Sequence, residues 1–153
     1  MLNVQIRKCT VGDVEQCDAL AGMLSAYGRE SSIPEIGESC ANMAMYHMLE
    51  ASGALHILGA FVDGQLVGMA SLMINQLPHY AGRTVAVTES LFVAPEHRSG
   101  GTGMKLLRAV EAYAKDKGAV ALLVSAPSGG RLTKVLPRSG YRESNQVFVR
   151  GLQ

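Results

Sequence analysis

A glycine-rich segment between an apolar stretch and an amphipathic stretch carries the clearest chemical signal in the sequence. Residues 89–104 read ESLFVAPEHRSGGTGM, with Gly100, Gly101 and Gly103 directly before the amphipathic stretch. The first turn of a helix has about four backbone N–H groups without partners and carries the positive end of the helix dipole. Glycines at that point allow phosphate oxygens to approach the backbone. The segment is therefore predicted to bind a diphosphate.

Three classes of phosphate-binding loop differ in the residues around their glycines. A P-loop needs Gly-Lys-Ser or Gly-Lys-Thr, whereas Gly103 is followed by Met104. The dinucleotide-binding fingerprint needs a third glycine where Leu106 stands, and it belongs in an opening βαβ unit. The third class of loop has the spacing R-x-x-G-x-G, which this sequence matches with Arg98, Gly101 and Gly103.

Hydrophobic periodicity and turn signals predict the elements that position this segment. Apolar runs predict strands over residues 4–8, 55–62, 66–74, 84–93, 119–125, 141–143 and 146–149. A capping box, Thr10 with Asp13, starts the first predicted helix. Its apolar face is predicted to hold Val14, Cys17, Ala21 and Leu24. Further helices are predicted over residues 38–50, 103–117 and 131–136, and loops over residues 28–36 and 75–82.

The resulting order, β-α-α-β-β-β-α-β-α-β-β, predicts one α/β domain with a mixed central sheet over residues 1–153. Asp63-Gly64 between two strands is a strong signal for a two-residue hairpin. Gly118 is predicted to end the third helix. The run at 119–125 is almost continuously apolar, which predicts a central strand covered on both faces. A helix before such a strand makes a parallel crossover.

The charge balance and the scattered metal-binding side chains exclude several functions. With 14 Lys and Arg against 13 Asp and Glu, the chain has no basic field for a nucleic-acid partner. No apolar run approaches the ~18 residues of a membrane span, and no signal-peptide core is visible at the start, so a cytoplasmic protein without a membrane partner is expected. The spacing of Cys9, Cys17 and Cys40 and of the four histidines matches no metal site.

The glycine-rich segment, the hairpin VDGQLVG and the late SGY together resemble the GCN5-related N-acetyltransferases, the GNAT superfamily. The resemblance runs from Val4 to about Arg150 and is densest from Glu89 to Gly118. It implies a single GNAT-like domain that uses acetyl-coenzyme A as donor and needs no metal. The implied partner is a small-molecule or peptide amine, with small amines, aminoglycosides, peptide N-termini and lysines all open.

The resemblance also implies where acetyl-CoA binds. Its pyrophosphate is expected on the backbone amides of Arg98, Ser99, Gly100, Gly101, Thr102, Gly103 and Met104. The pantetheine arm is expected in a gap beside the strand that ends at Val93, where it imitates a strand against Phe92 and Val93. A backbone amide there can meet the thioester oxygen, on which negative charge grows as the amine attacks. Direct attack in a ternary complex then needs no acyl-enzyme.

An amine is mostly protonated at neutral pH, so a base in the site assists the attack. Glu89 is the candidate, because it lies four residues before Val93 on the strand expected to floor the acceptor site. Some family members carry a catalytic glutamate at that position. The alternative is a solvated carboxylate or a salt bridge on a strand face.

Two residues that many family members carry are missing here. No Asn stands between Ser125 and Arg138, and Leu136 occupies the position of the Tyr that protonates the leaving thiolate. Solvent could protonate it instead, because coenzyme A has an ordinary thiol pKa, near the ~8.5 of cysteine. Substitutes for the missing tyrosine, each with packing as its alternative, are Tyr27, Tyr46, Tyr80 and Tyr141. The missing pair also leaves open an acetyl-CoA-binding sensor or assembly protein that does not turn over.

Several charged, sulfur-containing and aromatic side chains have two interpretations each. Arg131, Lys134 and His97 could meet the 3′-phosphate end of the cofactor or be solvated. Glu30, Glu35 and Glu38 could select a cationic acceptor or serve as helix-capping acids. The helix with Met43, Met45 and Met48 could be core, a pocket wall or the face of a homodimer. His79 and Tyr80 could line the acceptor mouth or form an exposed loop tip.

Overall fold

The computed structural model describes residues 3–153 and contains an α/β fold, as predicted. Its strands are β1 Val4–Cys9, β2 Leu55–Val62, β3 Gln65–Leu77, β4 Arg83–Val93 and β5 Leu122–Leu123. Its helices are α1 Val11–Glu15, α2 Leu20–Ser31, α3 Met43–Ala51, α4 Thr102–Asp116 and α5 Arg131–Arg138. Short 3₁₀ turns, Pro78–Tyr80 and Pro95–His97, precede and follow β4.

The five strands form one mixed sheet in the order β1-β2-β3-β4-β5. The first four strands pair antiparallel, and β5 pairs parallel to β4 after the α4 crossover. Asp63 and Gly64 join β2 to β3 with φ values of 49° and 77°. Two positive φ values are what a type I′ hairpin turn requires, so the hairpin prediction is confirmed.

Alternation along the strands divides the core between the two faces of the sheet. On one face Ile57 packs in a cluster with residues of α1 and α2, including Val11 and Met23. On the other face Leu58 packs in a cluster with Leu106 and Val110 of α4. Since successive side chains of a strand point to opposite faces, β2 is buried on both sides.

The first predicted helix is two helices, α1 and α2, separated by a turn at residues 16–19. The Thr10 capping box forms as predicted. The predicted apolar face is confirmed at Val14, Cys17 and Leu24, which pack in or against the core, but it was wrong at Ala21, which is exposed. Leu20 and Met23 are the buried apolar side chains of α2. Helix α2 also continues to Ser31, into the predicted loop. Helix α3 begins only at Met43, where the Asn42 side chain accepts a hydrogen bond from the Met45 N–H.

The C-terminal third differs from the prediction in two places. The run at 119–125 is not a central strand, because β5 is the edge of the sheet and Val120 is 67% exposed. The predicted closing hairpin at 141–149 does not form, and Val147 and Phe148 are exposed. The continuous apolar character of residues 119–125 predicts a strand that is covered on both faces. Among the described residues, however, no strand lies beyond β5. Gly118 ends α4 at φ +85°, as predicted.

Candidate active site

The site begins at a bulge in β4. Pairing with β3 skips one residue between Ser90, opposite Ser71, and Thr88, opposite Leu72. Glu89 is therefore the extra residue of a β-bulge, a feature that redirects a side chain and often occurs beside active sites. Its carboxylate is exposed at the edge of a cleft, whereas the Ser90 side chain is buried.

The same bulge changes which backbone groups face β5. Before it, Ala86 donates to Ala121 beside β5; after it, Ala94 donates to Val67 beside β3. Because strand residues alternate, the backbone groups of Leu91 and Val93 face the β5 side. There β5 no longer pairs with β4, since the pairs end at Val87 and Leu123. The sheet is split at this point, and a row of β4 backbone groups faces the split.

Three hydroxyl groups contact Glu89. The Tyr46 hydroxyl donates to Oε1 at 2.8 Å, and the Ser71 hydroxyl donates to Oε2. The Tyr27 hydroxyl donates to the Glu89 backbone carbonyl at 3.4 Å. Ser71 and Ser90 also share a hydrogen bond of 2.6 Å. Burial raises the pKa of Tyr46, and the Glu89 carboxylate raises it further, so this phenol is a protonated donor at neutral pH.

A cleft of about 510 Å³ opens beside Glu89, between α2, the segment after it and Tyr46. Its polar lining includes the Cys40 thiol together with hydroxyls and carboxylates, from Ser25, Tyr27, Ser31, Ser32, Ser39, Tyr46, Glu38 and Glu89. Its apolar lining includes Leu24, Ile33 and Ile36. Within residues 3–153 the lining includes no Lys, Arg or His, so the cleft favours a cation over an anion.

The glycine-rich segment forms the N-terminus of α4 next to the end of β4. Gly101 is the N-cap residue at φ +80°, and no described side chain caps the helix. A Cβ at Gly100 or Gly101 would meet no atom within 4 Å, so the space in front of these residues is open. A Cβ at Gly103 would lie 3.9 Å from Cγ2 of Val93. Unpaired first-turn amides, open space and the helix dipole make an anion site.

Arg98 connects this anion site to α2. Its Nε donates to the Val93 carbonyl at 2.7 Å, and its guanidinium lies 5.1 Å from the centre of the Phe92 ring. Its terminal nitrogen contacts both carboxylate oxygens of Glu30 at 2.9 Å. Glu30, considered from the sequence as an acceptor-selecting group, is therefore paired with Arg98. Ser99 and Gly100 lie between Arg98 and the Gly101 N-cap, and Thr102, the first residue of α4, is buried.

Of the other candidate residues, only Glu38 lies in the cleft beside Glu89. Arg131 and Lys134 are exposed, and a buried Nδ1 of His97 has no hydrogen-bond partner among residues 3–153. Glu38 lines the cleft; Glu35, His79 and Tyr80 are outside the lining. The Tyr141 hydroxyl donates to Glu111, and Leu136 is buried. The core interpretation fails for Met45 and Met48, which are exposed, whereas Met43 packs against the core.

The sequence-based search missed the hydroxyls around Glu89. Ser71 is fully buried in β3, and Ser90 is buried opposite it in β4. A serine inside an otherwise apolar strand was the available signal, because a buried hydroxyl needs a hydrogen-bond partner. Tyr46 was considered only as a substitute acid, and its contact with Glu89 spans 43 residues of sequence.

The end of the β4–β5 pairing and the uncapped, glycine-preceded start of α4 lie along the same strand, and the sequence comparison gives the class of the protein, an acetyltransferase. The chain belongs to the acetyltransferase (GNAT) family, whose sequence model matches residues 17–138. The family uses acetyl-CoA. None of the curated proteins compared with the chain matches it.

Solved structures have the same fold. A ribosomal-protein-alanine N-acetyltransferase from Brucella melitensis biovar Abortus 2308 is 21% identical, with a TM-score of 0.75 over 97% of this chain and 98% of that one. An aminoglycoside acetyltransferase from an uncultured soil metagenomic sample, in complex with sisomicin, is 18% identical, with a TM-score of 0.76 over 98% and 97%. The aminoglycoside N-acetyltransferase AAC(6')-Iy, in complex with CoA, is 21% identical, with a TM-score of 0.75 over 98% and 95%.

No helix in the described part of the chain is both long enough and apolar enough to cross a membrane. Across the same residues, no group of three or more His, Cys, Asp and Glu side chains is arranged to hold a metal ion.

Proposed function

We propose that residues 1–153 act as one N-acetyltransferase domain, which moves an acetyl group from acetyl-CoA to a primary amine by direct attack. The observation that carries this proposal is the position of Glu89. Its carboxylate lies at the bulge where the split in the sheet meets the cation-favouring cleft. A base at this position can reach an amine bound in the cleft. It also lies on β4, the strand whose end is next to the anion site.

The anion site supports binding of the donor's pyrophosphate. The backbone amides from Ser99 to Met104 would hold it, because the space beside Gly100 and Gly101 is open and the α4 dipole favours negative charge. The Arg98 amide, expected in the same role, donates to the Pro95 carbonyl at 3.3 Å. Beside the split, Val93 and Leu91 offer backbone groups to the pantetheine arm. Phe92 was expected in that role, but its backbone faces β3, and its ring lies beneath Arg98.

The acceptor is a cationic amine that fits a cleft lined by hydroxyls and carboxylates. Glu89 accepts the proton that the ammonium must lose. The amine nitrogen then forms the new C–N bond to the acetyl carbonyl carbon, the C–S bond of the thioester breaks, and the nitrogen loses its second proton to solvent. The thiolate takes a proton from solvent, because Leu136 supplies no acid. Holding the two reactants together lowers the activation free energy by several kcal/mol through proximity.

The buried Leu136 at the position of the family's usual acid favours a second candidate, an acetyl-CoA-binding protein without turnover. An assay for free thiol with acetyl-CoA and a panel of amines, run beside thermal unfolding, distinguishes the two. Thiol release that depends on both the amine and Glu89 supports the transferase. Stabilisation by acetyl-CoA without thiol release above background supports the binding protein.

A further inference from the structure

Both carboxylate oxygens of Glu89 are held by hydroxyls from different elements. Tyr46 on α3 donates to Oε1, and Ser71 on β3 donates to Oε2. Ser71 is completely buried, where a hydroxyl costs stability unless it is hydrogen-bonded. The strand needs no hydroxyl at this position, since the backbone of Ser71 pairs with Ser90 whatever the side chain is. We therefore relate the hydroxyl at position 71 to its hydrogen bond with Glu89.

The direction of the hydrogen bonds follows from the carboxylate. An ionised carboxylate can only accept, so Ser71 must donate its single proton to Glu89. Ser90 must then donate to Ser71 across their 2.6 Å contact. The chain Ser90 to Ser71 to Glu89 is thereby polarised toward the carboxylate, and successive hydrogen bonds strengthen one another.

We propose that Ser71 and Tyr46 are positioning residues, which fix the Glu89 carboxylate at the bulge in the orientation for proton acceptance. This inference rests on the proposed role of Glu89 as base. Two donors use two of about four lone-pair sites on a carboxylate, so acceptor sites stay available to an ammonium in the cleft. The titratable groups that face Glu89 are Tyr27 on α2, Tyr46 on α3 and Glu38 across the cleft.

The test compares Tyr46→Phe and Ser71→Ala with the parent, and repeats both changes in a Glu89→Gln background. Each single change should lower kcat/KM at neutral pH by about tenfold, because a hydrogen bond to a charged group is lost. In the Glu89→Gln background each change should alter kcat/KM by less than about twofold.

Tyr141→Phe is the matched control, because it also removes a phenol hydroxyl from a glutamate, Glu111, outside the cleft. It should leave kcat/KM unchanged. Ser90→Ala should have a smaller effect than Ser71→Ala, because Ser71 keeps its own bond to Glu89. If Ser71→Ala does not fold, Tyr46→Phe on the partly exposed α3 still carries the test.

Two results would overturn the proposal. One is a parent-like kcat/KM in folded Tyr46→Phe and Ser71→Ala. The other is an equal loss of activity in the parent and Glu89→Gln backgrounds, which would mean that the hydroxyls do not act through Glu89. The carboxyl ¹³C signal of Glu89 in the free protein, assigned by its loss in Glu89→Gln, needs no turnover. A changed chemical shift of that signal in Tyr46→Phe supports positioning even where the transferase proposal fails, and a parent-like signal refutes it.

Discussion

Replacement of Gly103 by alanine should stabilise the free protein and weaken its binding of coenzyme A. Gly103 lies in the first turn of α4 without a positive φ, and a Cβ there would be in ordinary contact with Val93 at 3.9 Å. The fold therefore does not require glycine at this position. Alanine is favoured over glycine in a helix by about 0.5–1 kcal/mol. For a chain of this size the melting temperature should rise by about 1–4 °C.

The loss of affinity follows from the position of the new methyl group. It would lie at the helix N-terminus beside the end of β4, where we propose that the pyrophosphate approaches the amides. A ligand at a hundredfold excess over its Kd stabilises a protein by about 2.7 kcal/mol, and a tenfold weaker Kd reduces this to about 1.4 kcal/mol. The variant should therefore melt higher than the parent without CoA and gain less from its addition.

Thermal unfolding with and without CoA, together with titration calorimetry, measures both effects. Gly22→Ala is the matched control, because Gly22 lies in α2 with no atom within 4 Å of a Cβ and outside the cleft lining. It should gain a similar stability and keep parent affinity. Parent-like affinity for CoA in Gly103→Ala would refute the assignment of the pyrophosphate to this helix.

Three further predictions concern charged and titratable groups. Glu89→Gln should lower turnover by about 10²- to 10⁴-fold while the affinity for CoA stays the same. The loss should become smaller as the pH is raised toward the pKa of the amine, because more of the amine is then unprotonated. Equal turnover per folded molecule in the parent and the variant would refute the role of Glu89 as base. Glu30→Gln breaks the pair with Arg98 and, because that pair is partly exposed, should change the free energy of unfolding in urea by less than about 1 kcal/mol. Burial lowers the pKa of His56, which contacts Tyr113, so its contribution to stability is present above pH ~6.5 and is lost as pH falls. His56→Gln should flatten urea-measured stability between pH 7.5 and 5.5, and an unchanged slope would contradict this.

Local signals in the sequence predicted the elements whose cause is local. The Thr10 capping box, the Asp63-Gly64 turn and the Gly118 helix end depend on residues only a few positions apart, and all three form. The break between α1 and α2 has no such signal, because the apolar periodicity continues across it. The exposure of residues 119–125 and 141–149 also escaped prediction, since it depends on which strands lie beside β5.

The sequence by itself predicted the glycine-preceded helix start at which we propose the anion site, because Arg98, Gly101 and Gly103 lie within one short segment. It also indicated Glu89. Only the tertiary structure decided what surrounds that carboxylate. The bulge arises from the pairing of β4 with β3, and the hydroxyls of Ser71 and Tyr46 reach Glu89 across 18 and 43 residues of sequence. Contacts at such separations follow from strand register and helix packing, for which short-range periodicity carries no information.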